Sequence, residues 1–152
     1  MRKKLALAVA ITLVGSVVVA GFALSSSATA ATTLTVIEHA TSDHVTDVGK
    51  QGDSKGDLLT FHNDIYDDSD TTVVGSDQGS CIRISPKQGS WECEWTTILE
   101  DGASSITVET PFYDTAPSVG AITGGTGTYV GASGSMDLSC SATECTFVFN
   151  IA

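Results

Sequence analysis

The residues that follow position 31 fall into short segments in which apolar and polar side chains alternate. Alternation with a period of two is typical of strands that bury one face, and this region lacks the sustained 3.6-residue period of a helix. Gly, Asp, Ser and Asn clusters separate the segments, which are 33–40, 58–66, 72–84, 91–99, 104–112, 118–123, 127–138 and 146–151. Such strands predict an antiparallel all-β sandwich or closed barrel, with residues 41–56 as a mobile loop at one rim.

The N-terminus has the pattern of an export signal. Three basic residues at positions 2–4 precede an apolar stretch over 5–24, and small residues at 28–30 offer a cleavage site. The sequence therefore predicts a signal peptide at residues 1–30 and a secreted domain at residues 31–152. The apolar stretch is also long enough to span a bilayer, so an uncleaved membrane anchor is the alternative.

The charge balance limits the partners that the chain can have. Eighteen acidic residues face seven basic ones, which gives a formal net charge of −11. Binding to phosphate backbones requires clustered Lys and Arg, so this composition argues against nucleic acid. It argues equally against adhesion to an anionic membrane, which leaves the N-terminal segment as the predicted membrane contact.

Four cysteines follow the signal segment, and four cysteines allow three pairings. Residues 81–93 and 140–145 each read as a hairpin whose two ends face each other. This symmetry predicts the disulfides Cys81–Cys93 and Cys140–Cys145, in agreement with an oxidising compartment. A tetrathiolate zinc site is the alternative, but the paired C-x-x-C spacing of such sites is absent. The sequence therefore predicts no metal.

The alternation places two polar residues on apolar faces. Glu38 follows Leu34 and Val36 on one face of its strand, and Asn63 shares a face with Phe61. A carboxyl group in such surroundings has a raised pKa and can act as an acid, a base or an anion. An asparagine amide can hold an oxygen that gains charge.

The same reasoning predicts a tryptophan-lined face. Trp91 and Trp95 share one face of their strand, and the pairing of Cys81 with Cys93 places Asp77 and Arg83 on that side. Buried polar groups destabilise a fold unless they find partners. The interior can therefore be a solid core with satisfied polar groups, or a cavity whose polar groups face a ligand. The residue pattern leaves both interpretations open.

Three segments together resemble one known family. Residues 56–67, GDLLTFHNDIYD, resemble the GDL-V-P-F-x-N-x-L-Y segment of the allene oxide cyclases. Residues 121–134, AITGGTGTYVGASG, resemble the family's ITGG-x-G-x-(F/Y)-x-G-x-x-G run, of which dirigent proteins share a version. Residues 107–112, TVETPF, lie at the expected distance before it. The resemblance extends over residues 33–139 and favours the allene oxide cyclase/dirigent barrel superfamily.

This resemblance implies an eight-stranded antiparallel, lipocalin-like closed barrel with a hydrophobic cavity. It also implies that no cofactor is used and that the protein forms a homo-oligomer, a dimer or a trimer. Plant members cyclise a fatty-acid epoxide or direct the coupling of phenol radicals, and bacterial relatives close rings in polyketides. In each case the barrel orients a reactive substrate and excludes water.

The resemblance also assigns site residues. The functional glutamate, asparagine and cysteine of the plant cyclases match Glu38, Asn63 and Cys81. Another family asparagine is replaced by Ala40, and Phe112 lacks the hydroxyl of the family tyrosine. Because Cys81 is predicted to be in a disulfide, it cannot act as a thiol. These departures argue against allene oxide cyclisation itself.

We therefore predict a cofactor-independent, stereoselective cyclase for a hydrophobic polyene or polyketide substrate, with [4+2] cycloaddition as its sharpest form. The predicted catalytic residues are Glu38, Asn63 and Arg83. The residues predicted to shape the cavity are Phe61, Trp91, Trp95 and Phe112. The alternative is a non-catalytic, secreted binding or structural barrel in which Glu38 and Arg83 form a buried pair.

Overall fold

The computed structural model describes residues 32–152, which fold into nine strands. Eight of them form a closed antiparallel barrel, and one short strand of three residues is added at its edge, so the predicted fold class is confirmed. The strands are β1 (Thr32–His39), β2 (His44–Thr46), β3 (Leu58–Tyr66), β4 (Val73–Ser85), β5 (Ser90–Leu99), β6 (Ser105–Tyr113), β7 (Ser118–Thr126), β8 (Gly134–Cys140) and β9 (Glu144–Ile151).

The barrel closes through β1, which is hydrogen-bonded on both of its edges. Each strand from β3 to β9 pairs with the next, and β9 pairs with the whole length of β1. The end of β1 then pairs with the end of β3, where Glu38 lies opposite Ile65. The beginning of the same β3 edge is covered by β2, where Val45 lies opposite Leu59. No edge of the barrel sheet is left long and unpaired in the described residues, which limits edge-to-edge association.

One face of every barrel strand points inward, as the alternation predicts. The fully buried apolar side chains include Val36, Ile65, Ile106, Val108, Met136 and Phe149. Burial of such a side chain stabilises a fold by about 1.5–3 kcal/mol, so these residues supply the main driving force for closure. The interior is therefore a packed core over much of its length rather than an open channel.

Both predicted disulfides are confirmed. Cys81 and Cys93 lie directly opposite each other on β4 and β5, and Cys140 and Cys145 do so on β8 and β9. Each bond therefore joins two strands that are already hydrogen-bonded neighbours. Two disulfides and no free cysteine fit an oxidising environment.

The structure differs from two predictions about local structure. The predicted strand 127–138 begins only at Gly134, because 3-10 residues Gly127–Tyr129 and a turn precede it. Gly127 and Gly131 have φ values of 56° and 79°, which are left-handed and interrupt a strand. Residues 41–56, predicted as a mobile loop, contain β2, and the buried Asp57 binds the backbone N–H groups of Val48 and Ser54.

The predicted signal peptide at residues 1–30 lies outside the described residues. Within residues 32–152, no helix has the length and apolar character needed to cross a membrane.

Candidate functional site

A pocket enters the barrel beside the end of β1 and the hairpin between β8 and β9. Its cavity volume is about 70 Å³, and the wider hollow, which includes solvent at the open mouth, is about 450 Å³. The enclosed cavity is smaller than the ~300–1,000 Å³ of typical ligand sites, so a bound molecule would extend into the open mouth. The lining combines apolar side chains, both disulfides and two acids: Glu38, Ala40, Asp43, Leu59, Phe61, Cys81, Cys93, Trp95, Phe112, Leu138, Cys140, Cys145 and Phe147.

Aromatic rings form one continuous wall of this pocket. Phe61 meets Trp95 edge to face at a centroid distance of 6.2 Å, and Trp95 lies 5.4 Å from Phe147. Gly79 on β4 makes the position of Trp95 attainable, because a Cβ atom at residue 79 would lie 2.4 Å from the Trp95 Cβ. The rings are inclined to one another by 68° and 39°, so they form a rigid, angled apolar lining against which a conjugated molecule can pack.

The polar end of the pocket is built around Glu38 and Asn63. Both side chains are buried, and the Asn63 amide nitrogen donates to Glu38 Oε1 at 2.6 Å and to Asp43 Oδ1 at 2.9 Å. The Asn63 oxygen accepts from the backbone N–H groups of Thr41 and Ser42 at 3.0 and 2.9 Å. These backbone donors fix the amide orientation, so its nitrogen faces the two carboxyl groups.

Asp77 lies behind this pair and is fully buried. It stands opposite Asn63 on β3 and Thr97 on β5. In the part of the chain that is described, neither Asp77 oxygen accepts a hydrogen bond from a fixed donor. Burial, and secondly the nearby charge of Glu38, raises the pKa of Asp77 to about 9.

The pKa of Glu38 is raised as well. Burial raises the pKa of Glu38 above its ordinary value, although the hydrogen bond from Asn63 partly offsets the rise. The carboxyls of Glu38 and Asp77 interact, and a proton on either one can be shared with the other. At neutral pH the pair thus holds a proton, and Glu38, its member in the pocket lining, can donate or accept one in apolar surroundings.

The structure brings some of the predicted site residues together and separates others. Glu38 lines the pocket, with Asn63 directly behind it, and Phe61, Trp95 and Phe112 form its aromatic lining, as their predicted inward orientation requires. Trp91 and Arg83 are buried but do not line the pocket.

Arg83 and Trp91 belong to a separate cluster at the barrel rim, which we call the rim clamp. The Arg83 guanidinium binds Asp53 at 2.7 and 2.9 Å and Asp114 at 2.8 and 2.9 Å. It also lies 4.3 Å above the centre of the Trp91 ring, whose Nε1 donates to Asp114. The alternative of a Glu38–Arg83 pair is therefore wrong, because the guanidinium is engaged by two other carboxylates. The rim clamp fastens the loop before β3 and the turn after β6 to the barrel.

Replacing Arg83 with methionine should lower the free energy of unfolding by about 2 kcal/mol. Methionine retains apolar packing on Trp91 but leaves Asp53 and Asp114 without their shared cation. Urea denaturation measures the change. The matched control is Lys87→Met on the adjacent exposed turn, which should shift stability by less than about 0.5 kcal/mol. An equal effect of the two substitutions would contradict the rim clamp.

Sequence reasoning missed the part played by two acids. Asp43 fell in the predicted mobile loop, so nothing indicated that it would meet Asn63. Asp77 was expected in the interior, but its neighbours Glu38 and Asn63 come from strands that meet only when the barrel closes. The signal that could have found Asp77 is a lone carboxylate on an apolar strand face, the same signal that identified Glu38.

Among residues 32–152, one group of potential metal ligands lies outside the pocket. His39, Asp70 and Glu144 place ligand atoms within 4.8 Å of one another on the outer surface. His39 Nε2 is hydrogen-bonded to Asp70 at 2.7 Å and its ring stacks on Tyr66. These contacts account for the arrangement without an ion, so the group carries no metal assignment.

Comparisons with solved structures identify proteins with the same barrel. A pyocyanin demethylase is 30% identical, with a TM-score of 0.70, and the alignment covers 80% of this chain and 100% of that one. A pterocarpan synthase dirigent protein is 19% identical, with a TM-score of 0.64 and coverages of 80% and 85%. The exo-specific intermolecular Diels-Alderase AbnU is 14% identical, with a TM-score of 0.60 and coverages of 81% and 98%.

No protein-family model matches the sequence, and no curated protein does. The dirigent protein and AbnU share too little sequence to show more than a common fold. The pyocyanin demethylase shares 30% of its residues over its whole length, which shows relatedness as well as fold. Together with the closed eight-stranded barrel, these comparisons place the chain in the allene oxide cyclase/dirigent-like barrel superfamily.

Proposed function

We propose that this protein is a cofactor-independent enzyme that holds a hydrophobic, conjugated small molecule in the barrel pocket. The observation that carries the proposal is the placement of the Glu38 carboxyl. It lines an aromatic pocket, is buried, and is oriented by Asn63 while Asp77 interacts with it from behind. A protonated carboxyl in such a site can donate a hydrogen bond or a proton to a substrate oxygen or nitrogen.

The preferred reaction is a stereoselective ring closure, including [4+2] cycloaddition. The aromatic wall would hold a flexible polyene with its reacting carbons close together, which replaces a search through many conformers by one oriented state. A hydrogen bond from Glu38 to a conjugated carbonyl would withdraw electron density from the adjacent double bond. That polarisation speeds addition of a diene and needs no net proton transfer. The Diels-Alderase activity named for AbnU, on the same fold, supports this form of the proposal.

A second candidate reaction is the demethylation of an aromatic substrate. The observation that favours it is the 30% identity with a pyocyanin demethylase over the full length of that protein. The aromatic lining and the Glu38 carboxyl suit an aromatic heterocycle as well as a polyene. Non-catalytic binding on the same barrel is the rival to both reactions.

The test uses two substrate probes with the purified protein and no added cofactor. One is a linear triene that carries an unsaturated carbonyl group, whose ring closure removes diene absorbance without a change of mass. The other is pyocyanin: its N-methyl carbon would leave as formaldehyde, with water supplying the oxygen and the phenazine ring of the substrate taking up the two electrons. After reoxidation of that ring in air, the product mass is lower by CH₂. Turnover of the triene supports the cyclase, and loss of the methyl group supports the second candidate. Saturable binding of either probe without conversion would leave the binding protein as the function.

A pocket-filling substitution locates the reaction in the molecule. Ala40 lines the mouth and is half-buried, so Ala40→Trp should lower kcat/KM by about tenfold or more by occupying the space of the substrate. The matched control is Ala121→Trp on the exposed face of β7, which should leave kcat/KM and the melting temperature unchanged. Full activity in Ala40→Trp would show that the reaction takes place elsewhere.

A further inference from the structure

The polar end of the pocket contains acids and no base. Two of the lining residues, Glu38 and Asp43, are acidic, and none is Lys, Arg or His. The Asn63 amide nitrogen, which donates to both acids, meets only one oxygen of each. Asp77 is fully buried behind them and does not belong to the lining. A ligand in the pocket can therefore reach Glu38 and Asp43, and a donor or positive charge on that ligand can meet the oxygens that Asn63 leaves unpaired.

The one arginine within residues 32–152 cannot meet this need. Arg83 is held by Asp53 and Asp114 in the rim clamp, and its ring contact is to Trp91 rather than to a pocket residue. The carboxyl groups of the pocket are therefore left for a partner that comes from outside the described chain.

The walls of the pocket favour the same kind of ligand. The faces of aromatic rings carry negative electrostatic potential and attract cations, most strongly where water is excluded. Trp95 is nearly fully buried and makes close ring contacts with Phe61 and Phe147. A compact, strongly hydrated cation would lose its water in such a site. A flat organic cation with delocalised charge loses little hydration and gains stacking.

We infer that the pocket selects a conjugated organic molecule that carries a positive charge, or binds as its conjugate acid, with the charged nitrogen directed toward Glu38. The inference rests on the proposed function only for the location of the site. A neutral molecule of the same shape would leave the acidic end without a partner. An anion would find no basic side chain in the lining to pair with, and it would meet the acidic side chain of Asp43.

The test is a series of three probes that share one shape and differ in charge. They are the cation 1-methylquinolinium, the neutral 1-methylnaphthalene and the anion 1-naphthoate. Equilibrium dialysis against the purified protein at pH 7.5 gives the three dissociation constants. The cation should bind at least about tenfold more tightly than the neutral probe, and the anion should bind most weakly. Equal or tighter binding of the neutral probe or the anion, or no binding by any of the three, would overturn the inference.

A pair of variants separates the pocket from the general negative charge of the protein. Glu38→Gln removes the pocket carboxyl that can release its proton and pair with a cation, and Glu94→Gln removes a carboxyl from an exposed position on β5. The preference for the cation over the neutral probe should fall about tenfold in the first variant and stay unchanged in the second. A preference that persists in Glu38→Gln would assign it to surface attraction and overturn the inference. If Glu38→Gln does not fold, the three-probe series on the unaltered protein decides.

The outcomes also separate this inference from the proposed function. Selective binding of the cation without turnover of any probe would contradict the enzyme and uphold the charge preference. Turnover of a neutral triene, with neutral probes bound as tightly as cationic ones, would uphold the enzyme and contradict the charge preference.

Discussion

Replacing Asp77 with asparagine is expected to raise the free energy of unfolding at pH 8 by about 3 kcal/mol. Asp77 is fully buried, and neither oxygen has a donor in the described chain. Asparagine has almost the same shape, carries no charge, and brings an amide nitrogen that can donate to the Glu38 carboxyl. Urea denaturation at several pH values measures the effect.

The gain should depend on pH in a defined direction. The folded protein keeps a proton on Asp77 up to pH about 9, whereas a free aspartate releases it near 3.8. The folded state therefore keeps the Asp77 proton across this interval, so the contribution of Asp77 to stability is greatest below pH 3.8 and falls as the pH rises toward 9. Asp77→Asn should remove much of this decline and leave the smaller contribution of Glu38, whose pKa is also raised.

The matched control for this prediction is Asp64→Asn. Asp64 follows Asn63 on β3 but points outward and is exposed, so its replacement should change stability by less than about 0.5 kcal/mol at any pH. A destabilised Asp77→Asn protein, or one with the pH profile of the parent, would show that Asp77 has a partner that compensates its burial.

Replacing Glu38 with glutamine is expected to lower kcat by about 10²- to 10⁴-fold on the substrate identified by the turnover assay. Glutamine keeps the length of the side chain and an oxygen that can accept from Asn63. It cannot release a proton or carry the carboxyl hydroxyl that donates to the substrate. The melting temperature and KM for a neutral substrate should change little, because the aromatic wall is intact.

The pH profile adds a second measure of the same role. If the protonated carboxyl is the active form, kcat should fall as the pH rises through the pKa of Glu38, which burial holds above its ordinary value. This limb should disappear in Glu38→Gln. Glu94→Gln, on the outer face of β5, should keep both the rate and the limb. A fully active Glu38→Gln protein would assign the reaction to the aromatic wall alone.

The sequence was sufficient to predict the features that depend on local pattern. Strand alternation identified the barrel strands and the inward positions of Glu38 and Asn63, and the symmetry of two hairpins identified both disulfides. Each of these features is determined within one strand or between neighbouring strands, where periodicity and turn position define which residues meet.

The features that escaped prediction depend on long-range closure. Arg83 binds Asp53 and Asp114 rather than Glu38. These partners are 30 and 31 residues away from it, and no periodicity in the sequence relates the positions. The short strand β2 exists because β3 offers it an edge that β1 leaves uncovered. The contact of Asp43 with Asn63 follows from that same loop path. Charge and alternation place such residues on a face but do not select their partners.

The disulfides of the pocket bear on how such a site can change over evolutionary time. Both line the pocket and join the paired strands β4–β5 and β8–β9. The strands around the pocket are therefore held by covalent bonds as well as by continuous strand pairing, and we call this part the frame of the pocket. Ala40, Leu59 and Phe112 at the mouth are only half-buried and contribute less to that frame. Exchanging them alters the shape presented to a substrate at little cost in folding. A barrel of this construction can acquire new chemistry through a few mouth substitutions, which fits a shared architecture among proteins named for a demethylation, a pterocarpan synthesis and a cycloaddition.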